Sequence, residues 1–142
     1  MKTRQKGTAI VEFALILPLL LLLTMITTEF GRAIYQYNTI VKSVRNATRY
    51  LSLQTPTTKI TEAKNLVVFG NIAGDEPALV PGLTLSQVTP TWLEIESSVP
   101  RINTVTITVT GYTFRSMFTS VFGVTFGDKI FANISATMRA PL

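Results

Sequence analysis

Residues 8–28 form an apolar stretch in which Glu12 is the only charged side chain. As an α-helix rising about 1.5 Å per residue, this stretch is roughly 30 Å long, which matches the hydrocarbon core of a bilayer. A secretory signal peptide has a shorter apolar region that ends in a small-residue cleavage site, and no such site follows Leu23. The sequence therefore predicts a membrane-spanning helix that stays on the mature chain.

Three basic residues, Lys2, Arg4 and Lys6, precede the apolar stretch. They favour a cytoplasmic N-terminus, although Arg32 on the far side weakens the charge asymmetry. The rest of the chain is then expected outside the cytoplasm. We predict four segments: a basic cytoplasmic leader that is cleaved off (1–7), a transmembrane helix (8–28), an amphipathic continuation of that helix (29–54), and a small α+β extracytoplasmic head (55–142).

Glu12 needs compensation, because a carboxylate at the centre of a spanning helix costs about 2.5–3.5 kcal/mol on insertion scales and less near the ends. In one interpretation Glu12 simply extends to the interface and benefits from the positive helix N-terminus. In the other, cleavage after Gly7 makes Thr8 a new N-terminus, whose ammonium lies one helical turn from Glu12. The carboxylate could then pair with its own terminus or with that of a neighbouring copy.

The segment Gly7-Thr-Ala-Ile-Val-Glu12-Phe13-Ala-Leu-Ile-Leu-Pro18 resembles the N-terminal signature of the TadE-like family. These proteins are minor pilins or pseudopilins of bacterial tight-adherence (Tad) pili, in which a glycine is followed by four residues, a glutamate and an aromatic residue. The resemblance is close over residues 7–37 and holds only in outline beyond them. One departure is Thr8, because better-known type IV pilins begin their mature chain with phenylalanine, which is often N-methylated.

The resemblance implies that a membrane prepilin peptidase cuts between Gly7 and Thr8. It also implies that Glu12, Phe13 and Pro18 serve assembly or recognition. The expected partners are membrane lipid, the peptidase, other pilin or pseudopilin subunits and the inner-membrane assembly platform. The expected location is the bacterial inner membrane and the assembled pilus.

Composition limits the alternatives. The chain has no cysteine and no histidine, which removes Ser-His-Asp and Cys-His catalysis and the usual zinc ligands. The acidic residues are scattered without EF-hand spacing. The net charge of +5 falls to about +2 once the leader is removed, so we expect no nucleic-acid partner. We also expect no catalytic residues, no cofactor and no metal.

Beyond the membrane, apolar residues recur at steps of three and four from Phe30 to Leu51, which predicts one amphipathic helix ending near Gln54. Lys42, Arg45 and Arg49 project away from the apolar stripe and form a basic edge. This edge is either a solvated face or a contact for lipid headgroups or an acidic neighbouring subunit.

The remaining sequence predicts a short helix over 58–69, a proline-rich loop with extended pieces over 74–100, and a strand over 101–110 whose valine and isoleucine residues alternate with threonine. Phenylalanines spaced by four from Phe114 to Phe126 predict an apolar helical face, either packed on the sheet or exposed for a partner. A last strand over 129–138 is expected to pair antiparallel with 101–110.

Together these features predict an α+β fold: a long N-terminal helix, transmembrane in its first half and amphipathic in its second, packed on a small antiparallel sheet, as in pilins. The function expected is that of a structural minor pilin or pseudopilin of a Tad pilus, in pilus assembly, surface adhesion and biofilm formation. The alternative is an uncleaved signal-anchored envelope protein whose head binds a glycan or a protein partner.

Overall fold

The structure is a computed structural model that describes residues 5–95 and 102–140, with the side chains of 7–94 and 102–140. Its helices and strands follow in chain order: α1 Gln5–Leu51, α2 Ile60–Val68, β1 Val88–Ile95, β2 Ile102–Val109, β3 Thr113–Phe114, β4 Ser120–Val121, β5 Val124–Thr125, β6 Lys129–Ile130 and β7 Ile134–Ala140. A single 3₁₀ turn, Leu85–Gln87, leads into β1. The leader residues Lys2 and Arg4 lie outside the described residues, as do Glu96 and Arg101 of the predicted strands.

The predicted fold class is confirmed: a long apolar helix packs on a small antiparallel sheet. Helix α1 runs through both Pro18 and Gly31 without interruption. It ends at Leu51, and the turn that follows is closed by amide-to-carbonyl hydrogen bonds such as Gln54 to Leu51 at 3.0 Å. Only the second half of α1 is covered by the head.

The main sheet has the order β1-β2-β7, with both pairs antiparallel. Strand β2 is central: Val109 lies opposite Val88 of β1 and opposite Ile134 of β7. The predicted pairing of the strand at 101–110 with the last strand is therefore confirmed. The predicted alternation is confirmed as well, because Val105, Ile107 and Val109 are buried while the threonines between them lie on the other face.

The hydrophobic core lies between one face of this sheet, the second half of α1 and the inner face of α2. Helix α1 contributes Ile40, Val44, Ala47 and Leu51, all fully buried. Their spacing of three and four residues places them on one stripe of the helix. The core thus begins three turns beyond the end of the apolar stretch at residue 28.

The prediction of a helical face over 114–126 is wrong. This region contains β3 and a small β4–β5 hairpin, whose two-residue turn is Phe122-Gly123. Local hydrogen bonds compete with a helix here, since the Ser116 hydroxyl accepts from the Phe118 amide at 3.2 Å and the Asp128 carboxylate accepts from the Ser116 amide at 3.3 Å. Glycines at the turn and at 127 further disfavour a helix.

The prediction of one continuous strand over 129–138 is only partly right. Strand β6 pairs with β3 in a separate two-stranded sheet, and β7 begins at Ile134 after a break. Before the break, the Phe131 amide donates to the Tyr112 carbonyl at 2.9 Å, which extends the pairing of β6 with β3 rather than with the main sheet. Ile134 is buried, whereas Ile130 is exposed, so the apolar alternation did not indicate a single buried face.

Candidate functional site: the N-terminal helix and its junction with the head

The predicted processing residues lie on the exposed first turns of α1. Gly7, Thr8 and Glu12 line the same shallow depression on the helix surface, together with Val11 and Leu15. A Cβ added to Gly7 would meet no atom within 4 Å, so no described side chain from elsewhere in the chain covers this position. The structure therefore brings Thr8 and Glu12 onto one face, as the spacing of four residues requires.

Phe13 and Pro18 do not line that depression. Phe13 is exposed on an adjacent face of α1, because one residue along a helix turns the side chain by about 100°. Pro18 lies inside the helix, where it lacks an amide to donate to the preceding turn. Both residues are accessible along the apolar stretch, and their roles in assembly or recognition stay predictions.

Helix α1 is long and apolar enough near its N-terminus to cross a membrane, and none of its apolar window is buried inside the molecule. A core helix of a soluble protein would instead be covered by its own fold. The exposed apolar side chains from Ile10 to Leu23 have no covering element among the described residues. This arrangement is compatible with a single-pass membrane protein.

Lys42, Arg45 and Arg49 are exposed on α1, opposite the buried stripe. They make no ion pair within 5–95 and 102–140. Lys42 borders a shallow depression formed with Asn46 and the region around Leu66 and Leu79. The geometry leaves this basic edge accessible, and both interpretations of it stay open.

The main feature that the sequence did not predict is a buried carboxylate one residue beyond the apolar stretch. Glu29 is only 6% exposed. Its Oε1 accepts from the Arg32 guanidinium at 2.6 Å, and its Oε2 accepts from the Ser116 hydroxyl at 2.9 Å and the Met117 amide at 3.3 Å. We call these four residues, Glu29, Arg32, Ser116 and Met117, the junction.

The junction keeps Glu29 ionised. Burial by itself would raise the pKa of the Glu29 carboxyl, but the hydrogen bonds from Ser116, Arg32 and Met117 together outweigh it and lower the pKa. The result is a charged carboxylate that ties the head to α1 just where the helix leaves the apolar stretch. The one signal in the sequence was the Glu29-x-x-Arg32 spacing, which predicts a pair on the helix but not its partners in the head.

Aromatic side chains surround the junction on the side of the head. The Arg32 guanidinium lies 5.4 Å from the centre of the Phe114 ring. Phe131 stacks on Phe114 at 6.3 Å and meets Tyr37 edge to face at 5.6 Å. These contacts hold β3 and Phe131, the residue after β6, against α1 between Arg32 and Tyr37, about one and a half helical turns.

A second polar contact between α1 and the head lies one helical turn beyond Arg32. The Tyr112 hydroxyl lies 2.8 Å from Gln36 Oε1 and 2.9 Å from the carbonyl oxygen of Pro81. Since the hydroxyl has one proton, it is shared between these two acceptors. Tyr112 is buried, and this burial raises the pKa of its phenol, so the neutral form holds α1 to two loops of the head.

Between α1 and the head, beside the junction, lies an open groove of about 230 Å³. Its helix side is formed by Ile26 and Phe30, and its head side includes Phe114 and Phe126. Within the described part of the chain, no group of three or more Asp or Glu side chains is placed to hold a metal ion. The groove is shallow and mainly apolar, with Glu29, Ser116 and Lys129 also among its lining residues.

The TadE-like protein family matches residues 7–49 of this chain. The N-terminal helix of this chain is therefore similar to the TadE-like family model. The matched range begins at the predicted cleavage glycine and ends two residues before α1 does. No curated protein and no solved structure matches the chain.

The TadE-like match suggests a protein associated with Tad pili, with pilin subunits and a membrane as its surroundings. It covers the apolar stretch, the junction residues Glu29 and Arg32, and most of the buried half of α1. It does not extend to the sheet. The family therefore accounts for the helix, and the head must be interpreted from its own geometry.

Proposed function

We propose that this chain is a structural minor pilin or pseudopilin of a Tad pilus, which acts in pilus assembly, surface adhesion and biofilm formation. The TadE-like match that starts at Gly7 is the observation that carries the proposal. An exposed apolar half and a buried second half of the same helix support it. The chain itself catalyses no reaction and uses no cofactor; it is the substrate of a prepilin peptidase and a partner of other subunits.

In this proposal the protein inserts with its leader in the cytoplasm and its head outside the inner membrane. The peptidase cuts between Gly7 and Thr8, which leaves Glu12 as the fifth residue of the mature chain. The assembly platform then moves residues 8–28 from lipid into a filament, where the same apolar side chains pack against neighbouring subunits. Because these side chains are exposed in the single chain, they are available to contact lipid first and neighbouring subunits afterwards.

Glu12 sets the register of assembly in this scheme. The new ammonium at Thr8 lies on the same face, so the two charges pair within one chain or between neighbours. An axial slip would leave both charges unpaired in an apolar layer, at a cost of several kcal/mol. Subunits that are correctly aligned are therefore strongly favoured.

The test is the mature N-terminus, measured by intact mass and N-terminal peptide analysis in cells with and without the prepilin peptidase. We expect a start at Thr8 only when the peptidase is present. Glu12→Ala should then reduce incorporation into sheared pili severely, whereas the matched variant Glu62→Ala, in the exposed Lys59–Glu62 pair of the head, should assemble normally.

An uncut chain in both strains, together with normal behaviour of Glu12→Ala, would overturn the proposal. That outcome would favour the uncleaved, signal-anchored envelope protein whose head binds a glycan or a protein partner. A start at Thr8 with normal assembly of Glu12→Ala would retain processing and reject the pairing.

A further inference from the structure

The β4–β5 hairpin ends in an unusual turn. Its two central residues are Phe122 and Gly123, with φ of 49° and 80°. Two positive φ values are typical of a type I′ turn, whose first position is normally asparagine, aspartate or glycine. A phenylalanine there is strained, and it is also 64% exposed. Phe122 is therefore neither a preferred residue for this turn nor a part of the buried core.

Phe122 is not alone. The hairpin and the segments beside it, residues 115–130, form what we call the hairpin lobe. Large apolar side chains are exposed on this lobe at Met117 (68%), Phe122 (64%) and Ile130 (74%), with Val124 between them. So many exposed large apolar side chains in one short segment exceed scattered surface hydrophobicity and favour an interaction surface on this lobe.

The hairpin lobe lies beside the end of the apolar stretch of α1. Thr125 and Phe126 line the same groove as Ile26, which lies in the last turn of the apolar stretch. Ser116 and Met117 are bonded to Glu29, one residue past that stretch. The turn at Phe122 is three residues from Thr125, which is a distance of roughly 10 Å along an extended chain.

The charges of the lobe agree with its position. Arg115 and Lys129 are exposed and lie within two residues of Met117 and Ile130 in the sequence, and Asp128 is the one acid of the lobe. Asp128 accepts a hydrogen bond from the Ser116 amide at 3.3 Å. Cations at the rim of an exposed apolar cluster suit a surface of anionic lipid headgroups.

We propose that the hairpin lobe dips into the leaflet from which α1 emerges, with Phe122 as its principal anchor and Met117 and Ile130 beside it. The partner is the lipid bilayer, because the lobe continues the surface that α1 already presents to it. The junction holds the lobe at the correct height, and the head is thereby fixed in orientation on the membrane. The inference rests on the membrane span of the proposed function, but not on cleavage or pilus assembly.

The test places a fluorescent reporter at the turn of the full chain. Trp92, the single tryptophan, is first replaced by Trp92→Phe; its indole N–H has no partner among the described residues, so no hydrogen bond is lost. Phe122→Trp then supplies the reporter, and Leu53→Trp supplies the matched control. Leu53 is 75% exposed just beyond the far end of α1.

Both proteins are reconstituted in vesicles of phosphatidylcholine and phosphatidylglycerol whose acyl chains carry bromine near the headgroup. Co-flotation with the vesicles first establishes that the chain is inserted. We then expect the Phe122→Trp reporter to be quenched by the brominated lipid several-fold more than the Leu53→Trp reporter, and to be protected from aqueous acrylamide.

Flotation without quenching of the Phe122→Trp reporter would overturn the lobe proposal while leaving the span intact. Protection from acrylamide without quenching by lipid would also overturn it, and would point to contact with a second copy. Failure to float would overturn the span, and the lobe proposal with it.

A second variant separates anchoring from folding. Phe122→Asn places the preferred residue in the turn, so it should keep or raise the thermal midpoint of the head. It should nevertheless reduce the lipid quenching of a Met117→Trp reporter several-fold. Unchanged quenching in this variant would reject Phe122 as the anchor. A lowered thermal midpoint would show that phenylalanine is not strained in this turn.

Discussion

Two carboxylates in α1 have opposite surroundings. Glu12 is exposed on the apolar stretch, whereas Glu29 is buried at the junction and accepts hydrogen bonds from one guanidinium, one hydroxyl and one amide. A buried carboxylate is tolerated only when such partners replace its water shell. Glu29 therefore has a structural role in the single chain, while the role proposed for Glu12 requires a cleaved terminus.

We expect Glu29→Ala to destabilise the head by about 2 kcal/mol, since it leaves the Met117 amide without its acceptor and removes a charge-assisted pair. The measurement is chemical denaturation of the protein in detergent. Glu62→Ala, at the exposed ion pair with Lys59, is the control and should change little. Equal effects of the two variants would contradict the importance of the junction.

The same carboxylate predicts a pH dependence. Its pKa is lowered in the folded protein, so its stabilisation is fully present above the pKa of an unfolded glutamate, about 4.3, and is lost as pH falls through the lower native value. Thermal midpoints should therefore fall more steeply below about pH 4.3 in the natural protein than in Glu29→Gln. Parallel pH profiles would argue against an ionised Glu29.

At the scale of elements, the loop after α2 depends on one glycine. Gly74 has φ of 75°, and a Cβ there would lie 2.7 Å from Asn65 Nδ2. That amide donates to the Ile72 carbonyl at 3.0 Å and is buried against the core. The loop and α2 are therefore locked together by the close approach of a backbone to a side-chain amide.

We expect Gly74→Ala to destabilise the head by roughly 3 kcal/mol, from backbone strain and from displacement of the Asn65 amide. Gly82→Ala is the matched control: Gly82 has φ of 83°, and a Cβ there meets nothing within 4 Å. It should cost only the strain, about 1 kcal/mol. Denaturation curves that coincide for the two variants would show that the Asn65 contact is unimportant.

At the scale of the whole molecule, α1 belongs to two environments. Its apolar stretch is exposed, and its residues from Ile40 to Leu51 complete the core of the head. The junction and the Gln36–Tyr112 contact lie between these halves. The head should thus be a folding unit that does not need the apolar stretch.

A chain beginning at Thr28 is expected to be soluble and to unfold cooperatively, because it retains the core and the junction. A chain beginning at Asn38 keeps the core but loses Glu29, Arg32 and Gln36, so its thermal midpoint should be clearly lower. Circular dichroism melting of both chains measures this difference. Absence of a cooperative transition in the longer chain would show that folding of the head requires the membrane segment.

Much of the fold could be predicted from local patterns. The alternation of Val105, Ile107 and Val109 with threonine identified β2, and the steps of three and four from Ile40 to Leu51 identified the buried stripe of α1. Residues 114–126 could not be predicted in this way. Phenylalanines spaced by four residues match a helical face. The hydrogen bonds of Ser116 and the turn at Gly123 favour a hairpin instead, and the spacing of the phenylalanines does not reveal them.

The sequence alone determined the apolar length of residues 8–28, the glycine-to-glutamate spacing from Gly7 to Glu12, and the family resemblance that the TadE-like match confirms. These properties depend on neighbours along one helix. Tertiary structure alone decided the partners of Glu29 and the placement of Thr125 and Phe126 in one groove with Ile26, at the end of the apolar stretch. Ser116 lies 87 residues after Glu29, and no periodicity within a helix or strand relates residues so far apart.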